Sequence, residues 1–191
     1  MKNASGNAFQ KTWSRVFPID RTTAALEVLF LILIGALAIV LRQKLRVPMN
    51  MPGHHGIEVM ALFVIGRMTT RTSIAAGIAT LSAAALMFMP FMGITDPFLP
   101  AFYILMGILI DVCFFAFARF NKSMVFFGLV GGLAYMMIPL GRIFVNILSG
   151  YPYMNLLKNT PAVVLSTHFL FGFAGGILGF SMVYAFNRLK K

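Results

Sequence analysis

Acidic residues are scarce in this sequence compared with basic ones. Its 191 residues include 16 lysines and arginines but only 5 aspartates and glutamates, and a single cysteine. A chain that is 59% hydrophobic and only 11% charged has too few charges to cover a soluble domain of this size. The composition therefore predicts an integral membrane protein. Cys113 lies inside an apolar run, so a disulfide framework is excluded.

Catalytic and nucleotide-binding signatures are also missing. The sequence contains no Gly-x-Ser-x-Gly, no phosphate-binding glycine loop followed by lysine, and no His-Glu-x-x-His. We therefore expect no enzyme activity, and an ATP-driven role would require another subunit. An intramembrane enzyme that uses His54, His55 and Glu58 remains a lesser alternative, because these residues match no known constellation.

The net charge of +11 would suit a nucleic-acid partner, but its placement favours a membrane instead. The basic residues lie at the edges of apolar runs, where membrane topology requires them. We therefore expect the lipid bilayer, and no nucleic acid, as a partner. The distribution of lysine and arginine places the C-terminus in the cytoplasm, and a basic N-terminal tail places the N-terminus there too.

Apolar runs divide the chain into candidate membrane spans joined by short loops. Short loops favour antiparallel neighbours, so the sequence predicts an all-α membrane protein, a compact bundle of about six transmembrane helices. Residues 23–191 would form this single domain. The six candidate spans are Thr23–Leu41, Val47–Gly66, Thr72–Phe91, Phe98–Phe117, Ser123–Leu148 and Ala162–Phe186.

Residues 1–22 precede the first span and have a different pattern. Phe9, Trp13 and Phe17 recur at helical spacing, with Lys11 and Arg15 between them. This pattern predicts a cytoplasmic amphipathic segment on the membrane surface. A disordered tail with a few aromatic residues is the alternative.

The second candidate span is unusually short. Its apolar run Val59–Gly66 rises only about 12 Å, against roughly 30 Å of hydrocarbon. It directly follows the polar stretch Met49–Glu58, which contains Pro52 and Gly53. Irregular backbone at membrane depth survives only where it is buried in protein or lines a cavity. An irregular outer loop before a short second helix therefore marks the expected functional site.

Counting residues along each span brings further polar side chains to the same outer half. Arg142 lies near the outer end of the fifth span, where it would bind an anionic ligand or pair with Glu58, and Asp111 lies near an inner end, suited to a helix contact or a proton step. Outer cations such as Arg42 and Lys158 favour an anionic ligand. The predicted substrate-binding residues are His54, His55, Glu58, Arg142, Asn146, Tyr151 and His168.

A metal site was weighed from the same residues. His54 or His55 with Glu58 has helical spacing, His168 would add a third ligand, and Met51 supplies a thioether suited to Cu(I). Prolines and glycine break any helix before His54, however, so the spacing fixes no geometry. No metal ligand and no cofactor is predicted, and a metal-ion transporter stays an alternative.

Small residues mark surfaces where helices approach closely. Ala75, Ala79 and Ala83 repeat at four-residue spacing, and glycines cluster between residues 172 and 179. Such surfaces favour tight contact inside the bundle or with a partner helix. The three alanines are the predicted partner contacts.

Two further segments have a characteristic pattern. The first is Gly-His-His-Gly-Ile-Glu-Val-Met-Ala-Leu at 53–62 with Ile-Gly-Arg at 65–67, and the second is Phe98–Asp111, which ends Gly-Ile-Leu-Ile-Asp. Through these segments, and over nearly its whole length, the sequence resembles the substrate-binding S component of energy-coupling factor transporters. Two family features are missing: the Ala-x-x-x-Ala motif on the first span, and the N-terminal Met-His of the metal-specific branch.

The resemblance implies a subunit of the prokaryotic plasma membrane that captures a small vitamin-like molecule from outside. It would dock on a transmembrane coupling subunit driven by two ATPase subunits. The outer loops Met49–Glu58, Gly93–Pro97 and Gly150–Thr160 would form the ligand site. The alternative is a non-transporting scaffold, similar in architecture to the small membrane subunit of bacterial cell-shape complexes.

Overall fold

The computed structural model describes residues 16–17, 20–45, 51–153 and 158–189, and the regular secondary structure of these segments is helical. No strand occurs in them, and the prediction of an all-α membrane bundle is confirmed. The helices are α1 Arg21–Lys44, α2 Gly56–Thr69, α3 Ala75–Met87, α4 Leu99–Ala116, α5 Met124–Ser149 and α6 Pro161–Leu189, with 3₁₀ turns at Pro90–Met92 and Ala118–Phe120.

Four of these helices are long and apolar enough to cross a membrane: α1, α4, α5 and α6. The other two are shorter than a full span. Helices α2 and α3 have 14 and 13 residues and rise about 20 Å each. The bundle thus combines four span-length helices with two short ones in its interior.

The third predicted span is wrong in length. Thr72–Phe91 was expected to be one helix, but α3 ends at Met87. Met89 is already extended, with φ −75° and ψ 128°, because Pro90 follows it and the residue before a proline is driven out of the helical region.

The segment before α2 has the irregular backbone that its prolines and glycines predict. Residues 52–55 form turns, and Gly53 adopts φ +84°, a left-handed conformation that favours glycine. Helix α2 starts only at Gly56. The expectation of an irregular loop before a short second helix is confirmed for residues 51–69.

Glycines on α6 let it pack against backbone. A Cβ added at Gly175 would lie 2.6 Å from the Gly56 carbonyl oxygen of α2, and one at Gly176 would lie 2.1 Å from the Phe127 carbonyl oxygen of α5. Helices in lipid gain little from hydrophobic burial against one another, so close backbone contact of this kind supplies the attraction. The glycine face of α6 is therefore an internal contact.

The alanine ladder is internal as well. Ala75, Ala79 and Ala83 are fully buried. On the α1 side, a Cβ added at Gly35 would lie 2.0 Å from the Ala79 carbonyl oxygen, so the two backbones touch. The three alanines therefore face α1 and α4 of the same chain, and their predicted contact with a partner stays a prediction.

One carboxylate holds the loop between α2 and α3, at residues 70–74. The Glu27 carboxylate accepts hydrogen bonds from the backbone N–H groups of Arg71 and Thr72 at 3.0 Å, and from the Thr72 hydroxyl at 2.8 Å. These bonds satisfy donors that the loop would otherwise leave unpaired inside the bundle.

Asp111 performs the equivalent task at the start of α3. Its carboxylate accepts the backbone N–H of Ala76 at 3.1 Å and that of Gly77 at 2.7 Å, and Arg67 Nε lies 3.6 Å away. A carboxylate at a helix N-terminus is favoured by the helix dipole. The geometry matches the helix-contact interpretation of Asp111.

The predicted amphipathic segment at residues 1–22 lies mostly outside the described residues. Val16 is described, and its carbonyl oxygen accepts a hydrogen bond from the Ser73 N–H at 3.0 Å. This bond joins the chain before α1 to the loop between α2 and α3.

The close contact of α5 with α6 gives a first prediction. Gly176→Ala places a methyl group against the Phe127 carbonyl, which is backbone and cannot rotate away. We expect the free energy of unfolding in detergent to fall by about 2 kcal/mol or more, as overpacking does in a tight core.

The matched control is Ala185→Leu, which adds a larger group on an exposed position of the same helix. It should leave the free energy of unfolding nearly unchanged. Equal effects of the two substitutions would show that the close packing at Gly176 is not limiting.

Candidate ligand-binding site

Polar side chains enclose a cavity at one end of the bundle. Its volume is about 390 Å³, within the usual range of small-molecule sites. Helices α1, α5 and α6 supply its walls together with two loops. The lining residues are Arg42, Met51, Pro52, Gly53, His54, His55, Tyr135, Ile138, Arg142, Lys158, Asn159 and His168.

Residues 51–55 form the part of the lining that we call the lid. A Cβ added at Gly53 would lie 2.8 Å from Cγ and Nδ1 of His168. One added at Gly56, just after the lid, would lie 2.7 Å from the Tyr135 ring. The lid can therefore rest on α5 and α6 only because these two positions lack side chains.

Arg142 pairs with a carboxylate from another loop. Its Nε and Nη2 atoms lie 3.0 and 2.9 Å from Oδ2 of Asp96, and both side chains are largely buried. Arg142 also lies over the ring of Tyr153, 5.5 Å from its centroid. The possible pairing of Arg142 with Glu58 is therefore corrected: Asp96 takes that place.

Glu58 instead holds a lid histidine. His55 Nδ1 lies 2.5 Å from Oε1 of Glu58, an i,i+3 contact across the start of α2. Glu58 is not among the residues that line the cavity. It acts from behind the lining by fixing the ring of His55.

Arg42 reaches the cavity from the end of α1. Its Nη1 atom donates a hydrogen bond to the Tyr103 hydroxyl at 2.7 Å, and the guanidinium lies 5.6 Å from the centre of the Tyr103 ring. No carboxylate among the described residues bonds to Arg42 or to Lys158.

This lack of a partner follows from where the five carboxylates lie. Glu58, Asp96 and Asp111 form the ion pairs already described, and Glu27 binds the loop before α3. Asp20 is exposed at the start of α1. The lining therefore contains two cations, on Arg42 and Lys158, that form no ion pair with a carboxylate of the described residues.

His168 is the most enclosed polar residue of the lining. It is 3% exposed, its Nδ1–H donates to the Val164 carbonyl oxygen at 2.7 Å, and its ring stacks on Tyr135 with centroids 5.2 Å apart. The Tyr135 hydroxyl, in turn, has no hydrogen-bond partner in the described part of the chain. Two buried aromatic side chains thus offer polar atoms to the cavity.

The structure brings four predicted binding residues together and leaves three outside the lining. His54, His55, Arg142 and His168 line the cavity, and Glu58 lies behind His55. Asn146 and Tyr151 do not line the cavity.

Asn146 and Tyr151 stabilise the loop after α5. The Asn146 amide donates to the Tyr151 carbonyl oxygen at 2.9 Å, and the Tyr151 ring packs edge-on against Phe98 with centroids 5.8 Å apart. Both side chains thus help to position residues 150–153, and their predicted role in binding stays a prediction.

Sequence reasoning missed Tyr135 and Ile138. Both lie on the face of α5 that carries Arg142, at spacings of three and four residues, so the helical period could have identified them once Arg142 was chosen. Arg42 and Lys158 were counted as outer charges but not as site residues.

A larger cavity, of about 570 Å³, lies between α2 and α6 away from these groups. Its lining is mostly apolar and contains no charged side chain: Ile65, Met68, Thr69, Met182, Val183, Phe186 and Asn187. Volume alone does not make a recognition site, so the smaller polar cavity is the stronger candidate.

The arrangement of the histidines does not form a metal centre by itself. Within the described ranges, no group of three or more histidine, cysteine, aspartate or glutamate side chains is placed to hold a metal ion. No protein-family model, curated protein or solved structure matches this chain. The candidate site therefore rests on its own geometry.

The contact between the lid and His168 gives a second prediction. In Gly53→Ala the new methyl group would meet the His168 ring at 2.8 Å, and the residue would keep a left-handed φ. We expect the lid to be displaced, so that amide hydrogen exchange of residues 51–58 becomes faster. Mass spectrometry of peptides from this region measures the exchange.

Gly150→Ala is the matched control. Gly150 also has a left-handed φ, of +67°, but a Cβ there would meet nothing within 4 Å. It should introduce similar backbone strain without speeding exchange at residues 51–58. Unchanged lid exchange in Gly53→Ala would contradict the close contact with His168.

The surroundings of Tyr153 give a third prediction. Burial, together with the neighbouring Asp96 carboxylate, raises the pKa of Tyr153 to about 12. Asp96→Asn removes the carboxylate and leaves Arg142 unneutralised, and both changes favour the phenolate. We expect the pKa of Tyr153 to fall but to stay above its ordinary value, because burial is the larger cause.

The pKa of Tyr153 can be measured from phenolate absorbance in a pH titration. Each titration is subtracted from that of the same protein carrying Tyr153→Phe, which isolates this one phenol. An equal pKa of Tyr153 in the wild type and in Asp96→Asn would refute the effect of the Asp96 carboxylate on the Tyr153 hydroxyl.

Proposed function

We propose that this protein is the substrate-capture subunit of an energy-coupling-factor-type uptake transporter, and that it binds a small anionic molecule in the cavity. The observation that supports this most strongly is the charge of the lining. Arg42 and Lys158 lack a carboxylate partner in a bundle whose other acidic residues are already engaged.

Electrostatics in an apolar bundle favour an anion at this place. Two unit charges 4 Å apart attract by about 4 kcal/mol at an effective dielectric of 20, against about 1 kcal/mol in water. A half-buried guanidinium without a counter-charge is costly, and a bound carboxylate or phosphate supplies the missing partner. An anionic ligand therefore gains where a neutral one of the same shape does not.

The lid fits a capture step. It closes the cavity with a turn rather than with a regular helix, and the turn contacts His168 and Tyr135 through glycine positions. Contacts of this kind separate without breaking a helix. In the proposed orientation the cavity opens to the outside of a prokaryotic plasma membrane, and the C-terminus lies in the cytoplasm.

Delivery requires other subunits, because the sequence contains no nucleotide-binding signature. We propose a transmembrane coupling subunit and two ATPase subunits as partners. The alanine ladder, which a scaffold would use as its partner surface, is buried inside the chain, and this burial favours capture over the scaffold alternative.

The fourth prediction tests capture directly. The full chain, purified in mild detergent, should carry a small anionic molecule that native mass spectrometry detects. In Arg42→Gln the occupancy should fall about tenfold or more, the size expected when a charge-assisted hydrogen bond is lost.

Two control variants separate charge from structure. Tyr103→Phe removes the hydrogen bond to Arg42 but leaves the positive charge of Arg42 in place. This variant should therefore retain most of the ligand. Arg119→Gln removes an exposed arginine that lies over Phe120, outside the cavity lining, and should leave occupancy unchanged. If the purified chain co-purifies with other proteins but with no small molecule, the scaffold alternative is favoured and the proposal is overturned.

A further inference from the structure

All three histidines of the chain line the same cavity, and all three hold their rings in the same way. In each, the Nδ1 atom bonds to a protein oxygen: Met51 O for His54 at 2.8 Å, Glu58 Oε1 for His55 at 2.5 Å, and Val164 O for His168 at 2.7 Å. Carbonyl and carboxylate oxygens only accept, so Nδ1 carries a proton in each ring. In each ring, Nε2 is the nitrogen that has no hydrogen bond to a described residue.

His168 is the ring whose orientation is most tightly fixed. Tyr135 stacks on one face with an interplanar angle of 23°, and the backbone of Gly53 lies against the Cγ–Nδ1 edge. A flipped ring would lose the bond to Val164. The Nε2 atom has no hydrogen-bond partner among the described residues.

The positive charge of the lining determines whether Nε2 of His168 acts as a hydrogen-bond donor or as an acceptor. Arg42, Arg142 and Lys158 already place positive charge around the cavity. A second proton on His168 would add another cation to a site that is 3% exposed, which both desolvation and repulsion oppose. The neutral ring presents Nε2 as a hydrogen-bond acceptor, beside a Tyr135 hydroxyl that is also unpartnered in the described chain.

We propose that the molecule captured here combines an anionic group, bound by Arg42, with an N–H or O–H donor that bonds to Nε2 of His168. This inference rests on the proposed capture function and narrows its substrate class. Inorganic anions without an O–H group, such as chloride and sulfate, and ionised monofunctional carboxylates satisfy only the cationic part of the lining, and they leave the buried acceptor without a partner.

A transition metal is the other ligand that a free Nε2 could receive, because histidines that bind metals usually donate their second nitrogen to a protein oxygen. Two observations favour the hydrogen-bond donor. Three cationic side chains share the lining and repel a metal ion, and no group of three potential metal ligands is brought together in the described residues.

The fifth prediction compares two substitutions whose order depends on the role of His168. His168→Phe keeps a ring that can stack on Tyr135 but removes the acceptor, whereas His168→Gln loses the ring but places an amide oxygen near the position of Nε2. The probe is the small molecule that co-purifies with the wild-type protein. We expect His168→Phe to lower its occupancy about tenfold or more, and His168→Gln to retain a larger share.

The reverse order, with His168→Phe retaining more than His168→Gln, would show that the ring serves only for packing and would overturn this inference. Thermal unfolding of both variants in detergent verifies that they fold. A variant that does not fold is replaced by Tyr135→Phe, which removes the second unpartnered polar atom and should also lower occupancy.

The released molecule supplies an independent measurement. Its mass in heavy water, compared with that in ordinary water, counts exchangeable hydrogens, and we expect at least one beyond those of its acidic groups. An anionic molecule without such a hydrogen, or an equimolar transition metal in elemental analysis, overturns this inference but leaves capture itself standing. If no small molecule co-purifies, the proposed function fails as well.

Discussion

Charged groups inside a bundle that faces hydrocarbon need partners, and this chain has very few carboxylates to supply them. Asp96 neutralises Arg142, Asp111 pairs with Arg67 while binding the start of α3, and Glu58 fixes His55. Each of these pairs also joins separate parts of the chain or orders a turn. Among the described residues, Arg42 bonds to the hydroxyl of Tyr103 and lies over its ring, and it forms no ion pair. The same scarcity that organises the fold thus leaves positive charge in the cavity.

Close approach of backbones places the aromatic wall of that cavity. A Cβ added at Gly172 would lie 2.5 Å from the Gly131 carbonyl oxygen and 2.7 Å from Cβ of Tyr135, so α6 and α5 touch one turn away from His168. This contact sets the two rings in register for stacking. Gly53 and Gly56 then allow the lid to lie on the same rings. Missing side chains, more than specific bonds, therefore define the shape of the site.

Some of this organisation is predictable from sequence, and the rest depends on contacts between distant residues. Apolar length and periodicity identify the long helices, and Pro52 with Gly53 predicts the irregular lid. The predicted third span is longer than helix α3, because Pro90 drives Met89 out of the helical region and apolar length alone does not show this effect. The choice of Asp96 rather than Glu58 as the partner of Arg142 joins residues 46 positions apart, and a pattern along one helix cannot show it. The internal place of Ala79 likewise depends on Gly35, on a helix that shows no alanine ladder.

The polar cavity is a compromise between stability and binding. An apolar side chain at position 42 would avoid the cost of a half-buried guanidinium, and a satisfied partner would remove the free acceptor at His168. Both features lower the stability of the unliganded protein and raise the free energy gained when a ligand of matching chemistry binds. Sites that combine a half-buried charge with an unsatisfied hydrogen-bond acceptor tend to be functional, because selection for stability alone would replace both groups by apolar side chains. In the described part of the chain Arg42 forms no ion pair and Nε2 of His168 has no hydrogen-bond partner. These two features are therefore better explained together, by one ligand, than separately.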